Sequence, residues 1–279
     1  MTARHSLART VARCLGLAAT FTALGTAQAA ERPLWEIGAG VAGLRMPHYR
    51  GSDQSHNWLL PVPFVVYRGE IFKADRDGAR AVLFESDRLN FDLSLAASAP
   101  TRSNDNRARE GMADLRPTIE LGPNLNLKLA SGPGWKLDLR APLRAAMTIR
   151  SSPRVIGWIA TPNLNLDLSR VAGWNVGLQG GVQFADRRFN GYFYDVNAAD
   201  VTASRPAYRS PGGYGGAQLT LAASRRDADR WLGAFARFDN LSGARFEDSP
   251  LVRRRNHLSI GIAVSWVFSR SSTLVNVGD

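Results

Sequence analysis

Leucine alternates with polar residues through Pro123–Leu129 (PNLNLKL), and thirty-nine residues later Pro162–Leu168 (PNLNLDL) repeats the pattern almost letter for letter. The same period of two runs through Leu89, Phe91, Leu93 and Leu95, through Trp135, Leu137, Leu139 and Leu143, and through Trp174, Val176, Leu178, Val182 and Phe184. The intervening positions carry Asn, Asp, Gln, Lys and Arg. Successive side chains of a strand point to opposite faces, so the pattern predicts strands with one apolar and one polar face. No long window repeats apolar residues at helical spacing.

A soluble sandwich would alternate too, but several runs last ten or more residues. That is the span of a tilted membrane strand, whereas soluble strands are typically about 5 or 6 residues. Aromatic residues near the run ends (Trp58, Trp135, Trp174, Trp231, Trp266 and Phe268) suit a girdle at lipid head groups. The spacing predicts twelve strands, near 34–45, 59–67, 70–76, 79–86, 89–98, 115–130, 135–149, 154–168, 173–186, 213–224, 230–240 and 256–268. The long connections, around 46–58, 99–114, 187–212 and 241–255, then share one end, and the short turns share the other, as in an up-and-down transmembrane barrel. Fusing 59–76 into one strand would break that sidedness; ten strands is the alternative.

The first residues follow another logic. Arg4, Arg9 and Arg13 precede the apolar run CLGLAATFTALG, and Ala27-Gln28-Ala29 has the small-residue form of a cleavage site, so 1–29 reads as a secretory signal peptide. The run is too short for a bilayer-spanning anchor. The expected organisation is therefore signal peptide 1–29, barrel 30–268 and a C-terminal tail 269–279. The single cysteine, Cys14, lies in the leader, which leaves the expected mature chain without disulfide or thiol chemistry. The net charge is +11, and +8 without the three leader arginines (11 − 3). Export turns that basic balance away from nucleic acid and towards lipopolysaccharide phosphate and other envelope anions; a solvated basic surface is the plainer reading.

Order and spacing of several short motifs resemble the MipA/OmpV family of outer-membrane proteins. They are PHYRGS with Tyr49, Gly51 and Ser52; Pro61, Pro63 and Tyr67 in LPVPFVVYRG; Leu121-Gly122-Pro123; the glycines at 212–216; Ser249 and Pro250 in SPLV; and a closing strand ending Trp266-Val267-Phe268. The resemblance implies an outer-membrane β-barrel without catalytic residues or cofactor. In the namesake branch it implies a scaffold between a lytic transglycosylase and a bifunctional murein synthase; other branches are associated with osmotic response, adhesion or small-solute uptake. One departure is that eleven residues, Ser269–Asp279, follow the terminal aromatic Phe268.

Inward-facing charges are expected at Asp92, Glu120, Lys128, Lys136, Asp138, Arg140, Arg144 and Asp167, where mixed signs fit internal ion pairs as well as a pore. His257 and Ser259 share a strand face, as an esterase pair would, but Leu258, Ile260 and Ile262 claim the lipid side and turn them towards the lumen, where a hydrogen-bonded pair is the simpler account. His48, Asp53 and His56 could hold a metal but lack a third strong ligand. Gly38, Gly40 and Gly43 match G-x-G-x-x-G without the helix that a dinucleotide site needs. Arg253-Arg254-Arg255 could grip phosphate.

Overall fold

The computed structural model describes residues 30–69, 72–75, 78–149 and 151–277; the leader and its Ala27 and Ala29 cleavage site lie outside them. A two-stranded sheet joins β1 (Ala30–Pro33) to β15 (Leu274–Val277). The other thirteen strands form one sheet: β2 (Trp35–Pro47), β3 (Ser55–Arg68), β4 (Phe72–Asp75), β5 (Gly78–Glu85), β6 (Leu89–Ser98), β7 (Thr118–Gly132), β8 (Trp135–Thr148), β9 (Arg154–Ala160), β10 (Asn163–Val171), β11 (Trp174–Ala185), β12 (Gly213–Arg226), β13 (Arg230–Asn240) and β14 (Asn256–Arg270). Apart from β9 and β10, which do not pair with each other, each pairs antiparallel with its neighbours in sequence, and β14 pairs with β2. On the other side β8 pairs with both β9 and β10, and β11 with both as well. β9 and β10 are thus one strand interrupted at Thr161-Pro162, and the thirteen segments close into a twelve-strand barrel. The ladder bridges the interruption, because Thr161 N donates to Pro142 O (3.2 Å) and Val182 N donates to Pro162 O (3.1 Å).

The two leucine-rich repeats flank β8. In register, Asn126 faces Arg140, which faces Asn163, and Lys128 faces Asp138, which faces Asn165. Their leucines face out. Leu121, Leu125, Leu164, Leu178, Leu219, Leu258, Ile260 and Ile262 are all exposed, and large apolar side chains exposed in a band around a closed barrel make a lipid-facing surface.

The twelve strands follow the expected count, with local corrections. β2 extends to Pro47 and β3 starts at Ser55, so the first long loop is 48–54 and not 46–58. The last strand runs through Arg270: Ser269 faces Ile37 and Arg270 faces Glu36. Two aromatics leave the expected girdle. Trp58 lies opposite inward Leu44, and Trp231 alternates with outward Leu232 to face the lumen. Pro61 and Pro63 sit in β3, which pairs with β2 along its length and, among the described residues, with β4 at Tyr67 and Arg68. Among those residues neither proline faces a partner on the β4 side, where its missing N–H leaves no ladder bond unmade.

The buried apolar core lies in the loops. Tyr49, Leu115, Tyr194, Val196, Leu241, Ala244, Phe246 and Leu251 come from connections 48–54, 99–117, 186–212 and 241–255 and form one cluster at the long-loop end. The helix α1 (Arg187–Tyr194) in the third of these is capped by the Asp186 side chain, which accepts from Phe189 N at 2.7 Å. Its Phe189 packs with Ala146, Ile156, Ile159 and Ala185 at the strand ends, rooting the loop on the rim.

Two outcomes test this division. Ile262→Arg, in the middle of the lipid face, is expected to lower barrel stability by about 2–4 kcal/mol in urea titrations in lipid vesicles, while inward Ala263→Ser changes it by less than about 1 kcal/mol. Phe246→Ala, which empties the centre of the loop core at a cost of about 3–5 kcal/mol, is expected to expose the loops to protease while the heat-resistant barrel band on gels persists.

Candidate functional site in the loop cap and the lumen

The segment 48–54 is the hub of the cap. The Tyr49 hydroxyl donates to Leu251 O (2.8 Å), and the Tyr194 hydroxyl donates to Arg50 O (2.8 Å). Ser249 Oγ donates to Tyr194 O (2.8 Å), and the Tyr194 ring stacks on Phe246 with centroids 3.8 Å apart. Gly51, at φ +104°, turns its carbonyl to accept from Arg253 N (2.6 Å) and Arg254 N (3.0 Å); a side chain at that φ would be strained. The segment also meets loop 99–117: Asn106 Nδ2 donates to Ser52 Oγ (2.9 Å), and Thr101 Oγ1 donates to His48 O (2.5 Å). Arg109 is buried and holds Phe193 O (3.0 Å) and Ala113 O (3.1 Å), with its guanidinium 5.7 Å from the Tyr49 ring centroid.

Burial raises the Tyr49 and Tyr194 phenols far above their ordinary range, so both stay neutral donors. Burial, and then neighbouring His56, hold His48 below the usual histidine value; its Nδ1 is 3.2 Å from Asn106 Nδ2. Of the resembled motif, Tyr49, Gly51, Ser52 and Ser249 therefore meet in the cap, next to Pro250. Pro61, Pro63 and Tyr67 lie exposed on β3. Gly122 is packed so that a β-carbon would fall 2.0 Å from Leu143 O, and Pro123 follows it in β7.

Below the cap, Arg50 reaches down into the barrel. Its Nε donates to Asp239 Oδ1 (2.9 Å) on β13 and its Nη1 to Gln183 Oε1 (2.5 Å) on β11. Arg237 also pairs with Asp239 at 2.9 Å. Tyr49–Leu251, Tyr194–Arg50 and Ser52–Asn106 tie loops from well-separated strands together, and Arg50 closes the space beneath them. The loops at this end are packed into one cluster above Arg50.

The expected inward charges form pairs in the middle of the lumen. Lys136 is 2.9 Å from Asp138; Arg140 lies 3.8 Å from Asp138 and 3.7 Å from Asp167; Arg144 is 3.9 Å from Glu120. Asn124 and Asn126 both donate to buried Asp92 (3.1 and 2.6 Å), and Asn165 donates to Asp167 (2.8 Å). Lys128 stands exposed opposite Asp138 in the ladder. At the turn end, Glu36 is held by Arg68 at 2.7 Å and by Arg226, which also lies over Phe64.

His257 and Ser259 are both buried on the inner face, but they do not form a pair. His257 Nε2 lies 3.2 Å from Gly51 N and 3.1 Å from Ser52 O, so the ring holds the cap's hub. Asp53 pairs with Arg107 (3.1 Å), and the His48 and His56 rings are 6.0 Å apart; among the described residues no cluster of three or more His, Cys, Asp and Glu side chains forms a metal cage. Gly38, Gly40 and Gly43 are strand residues of β2. Arg255 lies 3.6 Å from Glu247 on the cap's outer side.

Arg50, Gln183, Asp239, Arg109, Asn106 and Tyr194 escape sequence reading. Arg50, Asn106, Arg109 and Tyr194 come from loop segments with no period, where only the PHYRGS motif around Arg50 gives a signal, and Gln183 and Asp239 are strand residues whose partner on a distant loop no local pattern announces. Among the described residues, cavities of about 400 Å³ and about 290 Å³ lie in the lumen, and Arg140 and Gln179 line both.

Among solved structures the chain is similar to a bacterial polysaccharide outer membrane secretin, at 10% identity over 84% of this chain and 99% of that one, with TM-score 0.43. It is similar to the CymD monoaromatic hydrocarbon channel at 11% identity over 86% and 89%, with TM-score 0.41. It is also similar to outer membrane phospholipase A from Escherichia coli at 10% identity over 86% and 95%, with TM-score 0.34. Likeness at this level assigns neither activity nor residue. No curated protein matches the chain in sequence. The family described as MltA-interacting protein MipA matches residues 39–268, from within β2 to Phe268 in β14. With its closed sheet, apolar outer band and polar interior, the chain belongs to that family and is an outer-membrane β-barrel.

Proposed function

We propose that the protein is a non-enzymatic scaffold of the outer membrane that gathers murein-synthesising and murein-hydrolysing proteins on its periplasmic side. The observation that carries this reading is the family match over 39–268, because the family is described by its interaction with MltA. The packed loop cap supports it, since the fold gathers its apolar core where four loops meet over one end of the barrel. The surface left for periplasmic partners is the short turns and the chain after β14. Its charges are exposed: Arg225 and Arg230 each lie 3.5 Å from Asp227, and Arg270 meets Asp229 across the turn from β14.

Ser269 and Arg270 belong to the barrel ladder, so a clean test removes only Ser271–Asp279 and neutralises Arg225, Asp227 and Arg230. Capture of a lytic transglycosylase or murein synthase from cross-linked envelopes is expected to fall at least fivefold while the barrel still assembles. Undiminished capture would defeat the scaffold reading.

A small-solute channel is the second reading, favoured by the two lumenal cavities. In planar bilayers the native barrel is expected to pass no steady solute-sized current, and Arg50→Ala, which removes the side chain crossing the mouth, to produce one. Steady current from the native barrel would favour the channel. Acid should act in the same direction as Arg50→Ala. The folded pKa of His48 lies below its unfolded value, so the stability that neutral His48 gives the cap is complete above about pH 6.5 and is lost as the pH falls through the folded value. Protease sensitivity of the loops should rise over that interval, and His48→Gln should flatten the profile.

A further inference from the structure

The larger lumenal cavity, about 400 Å³, falls within the range of about 300–1,000 Å³ typical of small-ligand sites. It runs from mid-barrel towards the periplasmic end, lined by the lower halves of β11, β12 and β13. Four uncharged polar side chains on its wall, Asn175, Gln179, Thr220 and Ser224, have no protein hydrogen-bond partner among the described residues. They stand as two cross-strand pairs: Gln179 faces Thr220, and four residues along, past Gly177 and Ala222, Asn175 faces Ser224. Beside them, Trp231 and Phe235 line the cavity from β13. Both rings are laid against the wall over glycines: a β-carbon on Gly233 would fall 2.2 Å from the Trp231 ring, and one on Gly261 would fall 2.4 Å from the Phe235 ring. The wall is thus two flat aromatic surfaces next to an array of amide and hydroxyl groups, most of which can both donate and accept.

That combination selects a ligand chemistry. A purely apolar molecule would strip water from four polar groups and return no hydrogen bonds, at a cost of about 1–3 kcal/mol for each group left unsatisfied. An anion or cation would meet Arg140 and Asp167, which already face each other at 3.7 Å and present no uncompensated charge. A neutral molecule with hydroxyls along its edge and an apolar C–H face meets both demands. We propose that this cavity is a binding site for a short neutral saccharide, entered from the periplasm, with Trp231 and Phe235 as stacking platforms and Asn175, Gln179, Thr220 and Ser224 as hydroxyl partners. The inference does not depend on the scaffold reading: capture of murein enzymes can fail while the cavity still binds, and the reverse.

The test is calorimetric titration of the full barrel in a sugar-free detergent with maltose, with N,N′-diacetylchitobiose, and with toluene as the apolar probe. Saturable binding of at least one disaccharide at about 1 mM or tighter is expected, weakened tenfold or more in the double variant Gln179→Ala with Ser224→Ala and in Trp231→Leu. The double variant keeps the test open if Trp231→Leu fails to assemble, and gel heat-modifiability reports assembly for both. No disaccharide binding, binding of toluene alone, or disaccharide binding unchanged in the assembled variants would overturn the proposal.

Discussion

Every main-chain N–H and C=O that crosses lipid has to be paired inside the protein, because no water is there to replace a lost partner. From that one requirement the rest of this structure follows. It forces the sheet to close through the pairing of β8 with β9 and β10 and of β14 with β2. Closure then inverts the usual assignment of faces, so that leucines point out and Asn124, Asn126, Asn163, Asn165 and their charged neighbours point in. A polar residue turned inward is still short of water, and this barrel answers with pairs: Lys136 with Asp138, Arg140 with Asp138 and Asp167, and two asparagines on Asp92.

Because the barrel wall presents its apolar side chains to lipid, it has little left with which to build a core. The core forms instead where four loops meet, around Tyr194, Phe246 and Leu251. Loops are ordinarily the least ordered part of a fold, since a buried loop has to satisfy its own main-chain groups. Here they do so through side chains aimed at backbone: Tyr49 at Leu251 O, Ser249 at Tyr194 O, and Arg109 at Phe193 O and Ala113 O. The cap is therefore cross-linked within itself, and Arg50 couples it to the lumen through Asp239 and Gln183.

This division also explains what could be read from the sequence. Where lipid and lumen differ sharply in polarity, the period of two is written plainly, and twelve strands with their loop sidedness could be counted from it. On β13 the contrast fails: Trp231, Gly233 and Phe235 face a lumen wall almost as apolar as the lipid face of Leu232, Ala234 and Ala236, and so Trp231 reads as a girdle residue. The cap could not be read for a different reason. Its contacts join residues as far apart as Tyr49 and Leu251, with no repeat to announce them, although the motif PHYRGS marks the segment on which they converge. The interruption of a strand at Thr161-Pro162 and the shift of register between Lys128 and Ala130 are likewise set by neighbouring strands, not by local pattern.

The two copies of PNLNL now have separate physical tasks within one design. In β7, Asn124 and Asn126 neutralise the desolvation of Asp92 on the neighbouring β6. In β10, Asn165 supports Asp167, which shares Arg140 with Asp138 across β8. The repeat that ends in Lys128 stands beside Asp138, and the repeat that ends in Asp167 stands beside Lys136, so β8 alternates charge to meet both. Those ion pairs lie on the β6–β10 side of the lumen; at the same level β11–β14 carry small, aromatic and uncharged polar residues, while Arg226 of β12 and Arg237 and Asp239 of β13 pair nearer the two ends. The space left differs accordingly, because charges that must find partners fill space: about 290 Å³ remains among the ion pairs and about 400 Å³ where glycine and alanine face flat rings.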